Sequence, residues 1–346
     1  MAGGISPYIH LFYKYVSTIS ITSNIFLIYL ILKKSPKEFG VYKYLMMLIS
    51  IFEIVHFSYR SGVIVLISTS DKLFSRPMLM VLNGFYWGCF GFSLAMFGIH
   101  FIYRYLAVSE NPLLQTFQSW KITLWLLIPF SIGLTWSTNF VFMIPFSIGL
   151  TWVFTGIYLC GPTEEFSEFL RIPVRNTFRE NIEEYEYLGA FLYYTNGNGN
   201  YDIKWKPITG LTIMSFTVMI SFAIIAVSGI KGYLRIRCFM KYTSTTSSKS
   251  NNLQSQLFYA LLLQTSIPFL LLHIPVTLEF VFAIFNSGMG SYCFITSMTI
   301  VLYPAINPLP NFIVIHPYRK AIYGILKLLE RRTQVSIPSN NLFEVH

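Results

Sequence analysis

Charged residues are scarce in this sequence of 346 residues. Asp, Glu, Lys and Arg together make up 12% of the chain, against roughly 25% in a typical soluble domain. Hydrophobic residues make up 54% of it, and Phe, Trp and Tyr alone make up 18%. This balance excludes a soluble globular domain and indicates a chain that lies mostly in lipid.

Motifs of enzymes and of metal sites are missing as well. The sequence contains no His-Glu-x-x-His zinc motif, no clustered histidines of a membrane di-iron enzyme, no Gly-x-Ser-x-Gly nucleophile turn and no phosphate-binding Gly-Lys-Ser/Thr. We therefore expect no catalytic activity, no metal and no cofactor. Nucleic acid is not an expected partner either, because the basic residues are spread over the segments between hydrophobic stretches.

Cysteine is also rare, and its positions limit the disulfides that can form. The four cysteines are Cys89, Cys160, Cys238 and Cys293. A complete set of two disulfides is not expected, because Cys238 falls in a segment that should face the reducing cytoplasm. Cys160 and Cys293 lie near the outer ends of hydrophobic stretches and are the pair that could join.

What the sequence does contain is a series of long apolar stretches. A bilayer core of about 30 Å requires roughly 20 mainly apolar residues for each helical crossing. No stretch alternates in the way that a membrane β-barrel requires. We predict an all-α, polytopic membrane protein, a single bundle of seven transmembrane helices over residues 15–32, 44–67, 78–106, 122–160, 208–230, 257–285 and 292–315.

Basic residues predict the orientation of the bundle. With the N-terminus outside, the inner segments hold sixteen Lys and Arg residues and the outer segments hold eight, as the retention of basic flanks in the cytoplasm favours. The first ten residues resemble no signal peptide, so we expect the first span to be retained. We predict a plasma-membrane protein with an acidic extracellular loop at 161–207 and a cytoplasmic tail at 316–346. The net charge of +10 also suggests anionic membrane lipid as a partner.

The fourth stretch contains the nonamer IPFSIGLTW twice, at Ile128–Trp136 and again at Ile144–Trp152. The 42 uncharged residues between Lys121 and Glu164 would form one helix of about 63 Å, twice the thickness of the bilayer core. Two crossings there would reverse the charge pattern of every later loop. Removing sixteen residues leaves 26, which is a normal single crossing.

The two copies would not share a helix face. A shift of sixteen residues rotates a helix by about 160° beyond whole turns, and two units are too few for a repeat architecture. We interpret the repeat as a tandem duplication of coding sequence or an error in the gene prediction, in preference to a functional repeat.

Several polar residues lie inside the predicted spans, where charges are costly and usually face the bundle interior. Glu53, His56 and Arg60 share one face of the second span at spacing i, i+3, i+7. Two interpretations stay open: a polar cluster that fixes helix packing, and a ligand site.

The sixth span offers His273 and Glu279, together with Pro268 and Pro275. The two prolines predict a kink, because each removes a backbone hydrogen bond. The kink could act as a hinge between resting and active arrangements, or it could be static.

The third span has an aromatic outer half and a basic inner end. Asn83, Tyr86, Trp87 and Phe90 are typical of a pocket for a small apolar ligand, although each could serve packing alone. Near the cytoplasmic end come His100, Tyr103, Arg104 and Tyr105. Arg104 is a candidate for a switch, and the alternative is an arginine that extends to the lipid headgroups.

The seventh span and the tail have their own pattern. Pro304, Pro308 and Pro310 make an unbroken helix implausible there. After Pro317, the residues Ile322, Ile325, Leu326 and Leu329 form an apolar face beside Lys320, Lys327, Arg331 and Arg332. This pattern predicts a short amphipathic helix on the inner leaflet.

Four stretches in order carry a resemblance to a known family. They are "KKSPKEFGVYKYLMMLISIFEI" after the first span, "HFIYRYLAV" at the end of the third, "GPTEEFSEFLR" at the start of the long loop and "LYPAINPLPNFIVIHPYRKAI" across the seventh. Together they resemble the Str class of nematode seven-transmembrane chemoreceptors.

The resemblance implies a chemosensory receptor in sensory neuron membranes, with the cilium as the expected place. It implies a small-molecule, odorant-like ligand bound among the outer halves of spans 2, 3, 5, 6 and 7, and a heterotrimeric G protein as partner. The rhodopsin-like receptors are similar only distantly, since Tyr103 replaces the acid that precedes their span 3 arginine. The residues expected to carry coupling are His100, Tyr103, Arg104, Tyr105, Arg235, Arg237, Lys241, Asn307 and Pro308.

Two rival functions are open to such a membrane protein. One is a ligand-gated cation channel of inverted topology, which an external C-terminus would favour. The other is a transporter, which the lack of a repeat at the half-chain scale disfavours.

Overall fold

The computed structural model describes residues 7–57, 65–68, 74–109, 111–114, 140–179, 181–196, 200–242, 248–287 and 292–335, and the structural statements below concern these residues. Most of them are helical. The helices are α1 (Pro7–Lys34), α2 (Tyr42–Phe57), α3 (Arg76–Val108), α4 (Phe140–Leu159), α5 (Glu164–Phe178), α6 (Trp205–Tyr242), α7 (Ser248–Pro268), α8 (Ile274–Ile284), α9 (Tyr292–Ile306), α10 (Leu309–Val314) and α11 (His316–Val335).

Helices lie in all seven of the predicted spans. Spans 1 to 5 contain α1, α2, α3, α4 and α6, span 6 contains α7 and α8, and span 7 contains α9 and α10. In the described part of the chain, four stretches are long and apolar enough to cross a bilayer: Leu11–Lys34, Arg76–Val108, Trp205–Cys238 and Asn252–Ile284. A fifth, Ile295–Val314, qualifies together with the helix that follows it.

Prolines shape the sixth and seventh spans. In span 6 a π-helical turn, Phe269–His273, joins α7 to α8, and it lies between Pro268 and Pro275, which cannot donate backbone hydrogen bonds. The kink predicted for this span therefore takes the form of a widened turn within the 33-residue stretch Asn252–Ile284. Span 7 is interrupted at Asn307 and Pro308, and the chain bends by 96° before α11.

The protein is mostly helical as predicted, but the long loop and the segment before α3 also contain short strands, which the expectation of an all-α protein did not include. β1 (Val65–Ser68) pairs antiparallel with β2 (Tyr185–Leu188), and β3 (Tyr193–Thr195) pairs with β4 (Tyr201–Ile203). Residues 65–67 were predicted to belong to the second span. Val65 and Ile67 are β-branched and all three residues are apolar, so the run suits a strand as well as a helix. The antiparallel pairing with β2 supplies the backbone hydrogen bonds of a strand.

The two ends of the bundle have different structures, and we name them by what they carry. The strand end holds the four strands and α5, whose Phe166, Leu170 and Val174 pack on Ile182 and Tyr187. Thr163 begins α5 by accepting a hydrogen bond from the backbone N–H of Phe166 at 3.3 Å. The tail end is the opposite end, where α11 packs against the bundle.

α3 is the central helix, and its span is more buried than those in α1, α6 or span 6. Its closest neighbour is α4, because glycines allow the two backbones to approach. A Cβ atom placed on Gly88 would lie 2.8 Å from the carbonyl oxygen of Gly149. Gly91 makes a similar approach to the indole of Trp152.

Gly149 and Trp152 both belong to the second copy of the nonamer. The Nε1 of Trp152 also donates a hydrogen bond to Oγ1 of Thr217 in α6, at 2.9 Å. The second copy therefore packs against both α3 and α6. The first copy, Ile128–Trp136, lies outside the described residues.

Candidate functional site

The aromatic residues predicted to line a pocket lie together in the strand half of the bundle. Tyr86, Trp87 and Phe90 of α3 are buried in one cluster with residues from α4, α6, spans 6 and 7, and β2. We call this the aromatic cluster; its other buried members are Trp152, Cys160, Leu188, Met214, Leu272, Ile300 and Tyr303. Asn83, one turn before Trp87, is also buried.

The strand end closes the aromatic cluster from one side. Leu188 of β2 is fully buried in the cluster, and the backbone N–H of Gly189 donates to the carbonyl oxygen of Cys160 at 3.0 Å. Cys160 is a free cysteine, so it does not form the disulfide with Cys293 that its position in the sequence allowed. Hydrogen bonding and strand pairing hold this part of the loop on the bundle instead.

Ion pairs at the surface of the long loop join it to α3 and join its own segments to one another. Lys204 lies 2.9 Å from a carboxylate oxygen of Glu165, and this contact lowers the pKa of the Glu165 carboxyl. Arg76, at the start of α3, donates to the backbone carbonyl of Glu183 and lies 3.9 Å from the carboxylate of Glu186. Burial raises the pKa of Glu186 despite that contact.

The two polar residues predicted in span 6 face different neighbours. His273 belongs to the π turn, and its ring lies edge-on to Phe222 of α6, with 5.5 Å between the centroids. Glu279 of α8 lies beside Thr296 of α9. Both side chains are buried, and each has its own neighbour in the bundle.

A buried polar network crosses the middle of the bundle. Glu53 of α2 accepts a hydrogen bond from the side chain of Asn307 at the break in span 7. Asn24 of α1 lies beside the Glu53 carboxyl and donates to the carbonyl oxygen of Pro304 at 3.0 Å. The network thus joins spans 1, 2 and 7. The side chain of His56 and all of Arg60 fall outside the described residues.

Sequence reasoning missed Asn24. The available signal was the single amide of the first span, a polar group that is costly in lipid unless it faces a partner. Asn24 is fully buried, and its partners lie about 30 and 280 residues away in the sequence.

Arg104 lies inside the tail end of the bundle. Its guanidinium carbon is 3.3 Å from the centroid of the Tyr42 ring in α2, and its Nη1 donates to Oε1 of Gln254 in α7 at 2.7 Å. The side chain is only 1% exposed, which rules out the alternative of an arginine extended to the lipid headgroups. Arg104, Tyr42 and Gln254 form what we call the arginine cluster.

The arginine cluster links spans 2, 3 and 6 with a single buried cation. His100 and Tyr103 also contact the ring of Tyr42, at 5.5 and 5.7 Å between centroids. Nε and Nη2 of Arg104 meet no hydrogen-bond acceptor among the described residues. A cation held by one amide and one aromatic face retains donors for a further partner.

The remaining predicted coupling residues lie around this end. Tyr105 is half-buried at the end of α3, and Arg235 and Arg237 are exposed near the end of α6. Lys241 lies in the last turn of α6, but its side chain is outside the described residues. Pro308 is buried at the break in span 7, next to Asn307 of the polar network.

The tail helix α11 packs against the same end. Its Tyr318 is fully buried and shares a hydrogen bond with Ser35 at 2.7 Å. The backbone N–H of His316 donates to Oε1 of Gln256 in α7 at 2.9 Å. On the predicted apolar face, Ile322 and Ile325 are half-buried and the others, Leu326 and Leu329, are exposed.

Known proteins are similar to this chain over most of its length. G-protein coupled receptor str-217 of Caenorhabditis elegans is 31% identical over 326 residues, which cover 90% of this chain and 87% of that protein. Serpentine receptor class r-10 is 28% identical in Caenorhabditis elegans and 26% identical in Caenorhabditis briggsae. Those two alignments cover 89% and 90% of this chain, and 88% of each relative.

The model of the family described as "Serpentine type 7TM GPCR chemoreceptor Str" matches residues 9–144 and 138–323. The two matched pieces overlap at residues 138–144, the stretch that follows the first copy of the nonamer and ends at the first residue of the second copy. The resemblance noted in the sequence is confirmed: the chain belongs to the Str family of serpentine seven-transmembrane G-protein-coupled chemoreceptors.

Proposed function

We propose that this protein detects a small environmental chemical and activates a heterotrimeric G protein at the plasma membrane of a sensory cell, with the sensory cilium as its place of action. The observation that carries the proposal is the buried arginine cluster at one end of α3, with the aromatic cluster at its other end. One rigid helix thus connects a site suited to an apolar ligand with a cation suited to a signalling partner.

The ligand site comprises the aromatic cluster and the polar residues around it. The candidate ligand contacts are Asn83, Tyr86, Trp87, Phe90, His273 and Glu279, with Glu53, His56 and Arg60 proposed from span 2. Aromatic walls with few polar groups favour a small and mainly apolar compound. The long loop, through β2, limits access to the site from the strand end.

Activation is a shift between two arrangements of the bundle. A ligand can shift that equilibrium only by its difference in affinity for the two states. We propose that the described arrangement is the resting one, because Arg104 binds Gln254 of span 6 and its free donors are covered. Separation of span 6 from span 3 would expose Arg104 to the G protein, with Arg235, Arg237 and Lys241 alongside.

The N-terminus is proposed to be extracellular and the tail cytoplasmic, since sixteen of the 25 basic residues then flank the inner ends of the spans. α11 would lie on the inner leaflet with its exposed leucines in lipid. The family membership favours this receptor over the rival cation channel of inverted topology. An N-terminal epitope tag should be stained on intact cells, and staining only after permeabilisation would contradict the orientation.

Signalling is tested with Arg104→Ala, in cells that express the receptor with a calcium reporter and are screened with odorants. The variant should lose the ligand-evoked response while its surface level stays within about twofold of the original. Arg104→Lys, which keeps the charge but loses the planar fork, should recover only part of the response. A full response from Arg104→Ala would contradict the proposed coupling role.

A further inference from the structure

Glu279 is the buried acid that lies beside the aromatic cluster in the proposed ligand site. The residue lies in α8, and its side chain is only 2% exposed. Its Oε2 meets no hydrogen-bond donor among the described residues. A carboxylate removed from water is costly unless a cation or a set of donors compensates it, so its place in the bundle needs an explanation.

Three cations of the described strand end are paired with acids other than Glu279. Lys204 is paired with Glu165, Arg171 with Glu183, and Arg76 with Glu186. Arg104, the buried cation of the arginine cluster, lies at the tail end. The neighbour that the structure places beside Glu279 is the neutral Thr296.

Glu279 also lies next to the aromatic cluster. Val276, one turn before Glu279 in α8, packs against that cluster, and Ile300, one turn after Thr296 in α9, is part of it. Glu279 and Thr296 therefore lie one helical turn from the cluster, toward the strand end. Trp87 and Tyr86 in the cluster supply π faces, which attract cations.

We propose that the ligand is a small organic amine that is protonated at neutral pH, and that Glu279 supplies the counter-charge for its ammonium group. The apolar body of the amine would occupy the aromatic cluster, and its N–H groups would donate to the Glu279 carboxylate. The inference rests on the proposed ligand site and narrows its ligand from apolar compounds in general to amines.

The test measures binding without any G protein. The full receptor is purified into lipid nanodiscs, and its unfolding temperature is followed at pH 7 with matched pairs of probes: 3-methylbutylamine against 3-methylbutan-1-ol, and benzylamine against benzyl alcohol. At least one amine should raise the unfolding temperature in a saturable way, and its alcohol partner should not. In Glu279→Gln the affinity for that amine should fall at least tenfold.

Two further variants make the result specific. Glu168→Gln changes an exposed acid of α5 and should leave amine binding unchanged. Arg60→Gln tests whether Arg60, which lies outside the described residues, is the real partner of Glu279. One result would overturn the proposal: without ligand, Arg60→Gln and Glu279→Gln lower the unfolding temperature by the same amount, and amines do not raise the unfolding temperature of the original receptor. Arg60 and Glu279 would then form an ion pair within the receptor.

Three other results would also overturn it: no stabilisation by either amine, equal stabilisation by amines and alcohols, or unchanged amine binding in Glu279→Gln. The unfolding temperature of Glu279→Gln without ligand checks that the variant is folded. The proposed signalling function is judged separately through Arg104→Ala. If the receptor responds to alcohols and its response depends on Arg104, the proposed signalling function stands and the proposal of an amine ligand is refuted.

Discussion

Breaking the contact between Arg104 and Gln254 should raise signalling in the absence of ligand. Gln254→Leu keeps the volume of the side chain and removes the oxygen that accepts from Nη1 of Arg104 at 2.7 Å. The stacking of Arg104 on Tyr42 is left in place. The variant therefore tests the bond between spans 3 and 6 and not the burial of the arginine.

The size of the effect follows from the type of bond. A hydrogen bond from a charged donor contributes about 1.5–3 kcal/mol. If about 1.4 kcal/mol of this is lost only from the resting arrangement, the equilibrium shifts about tenfold toward the active one. A receptor that is about 1% active without ligand would become about 10% active.

The assay is G-protein activation without ligand, divided by the amount of receptor at the cell surface. Gln254→Glu provides a change in the opposite direction, because a carboxylate would bind Arg104 more strongly and should lower both the basal signal and the sensitivity to ligand. Asn252→Ala is the matched control, since this exposed residue of α7 contacts Gln256 and not Arg104. A basal signal that is unchanged in both Gln254 variants would refute a restraining role for the bond.

Two further predictions concern the repeat and the loop. Gly149→Leu should lower surface expression, because a side chain there meets the Gly88 carbonyl and Phe92 and overpacking typically costs about 1–3 kcal/mol. Gly133→Leu, at the matching position of the first copy, should leave surface expression unchanged. Equal losses of surface receptor in the two variants, measured by pulse-chase and surface labelling, would contradict the conclusion that the second copy packs against α3. The Lys204–Glu165 pair lowers the pKa of Glu165 below its ordinary 4.5, so its contribution is complete above that pH and is lost as the pH falls through the lower value. Hydrogen exchange at the start of α5 should therefore increase only in that acidic range, and Lys204→Ala should remove the dependence.

The helices in the described parts of the spans could be predicted from sequence because lipid imposes a strong local requirement on every residue of a crossing. The aromatic cluster followed from the same property, since Tyr86, Trp87 and Phe90 share the buried side of one helix. Residues 65–67 were assigned wrongly because a short apolar run fits a helix or a strand equally well. Only the partner strand, some 120 residues later in the sequence, decides between them.

The partners of the polar residues could not be predicted in the same way. Arg104 was recognised as a candidate switch, but Gln254 lies 150 residues from it, and no local pattern marks a glutamine as the acceptor. Glu53 and Asn307, which are 254 residues apart, were assigned to different roles and belong to one network. Pairings of this kind depend on how the helices pack, and the spacing of residues along one helix gives no information about that.

The repeat shows how packing selects between two identical sequences. Both copies contain the same Gly-x-x-Trp, so the nonamer itself cannot determine which copy packs against α3. The residues that follow each copy differ: Gly156 follows Trp152 at the position where Phe140 follows Trp136. A Cβ atom on Gly156 would already lie 3.3 Å from the indole of Trp87, so a phenylalanine there would displace Trp87 from the aromatic cluster. The second copy is therefore the one compatible with an intact aromatic cluster.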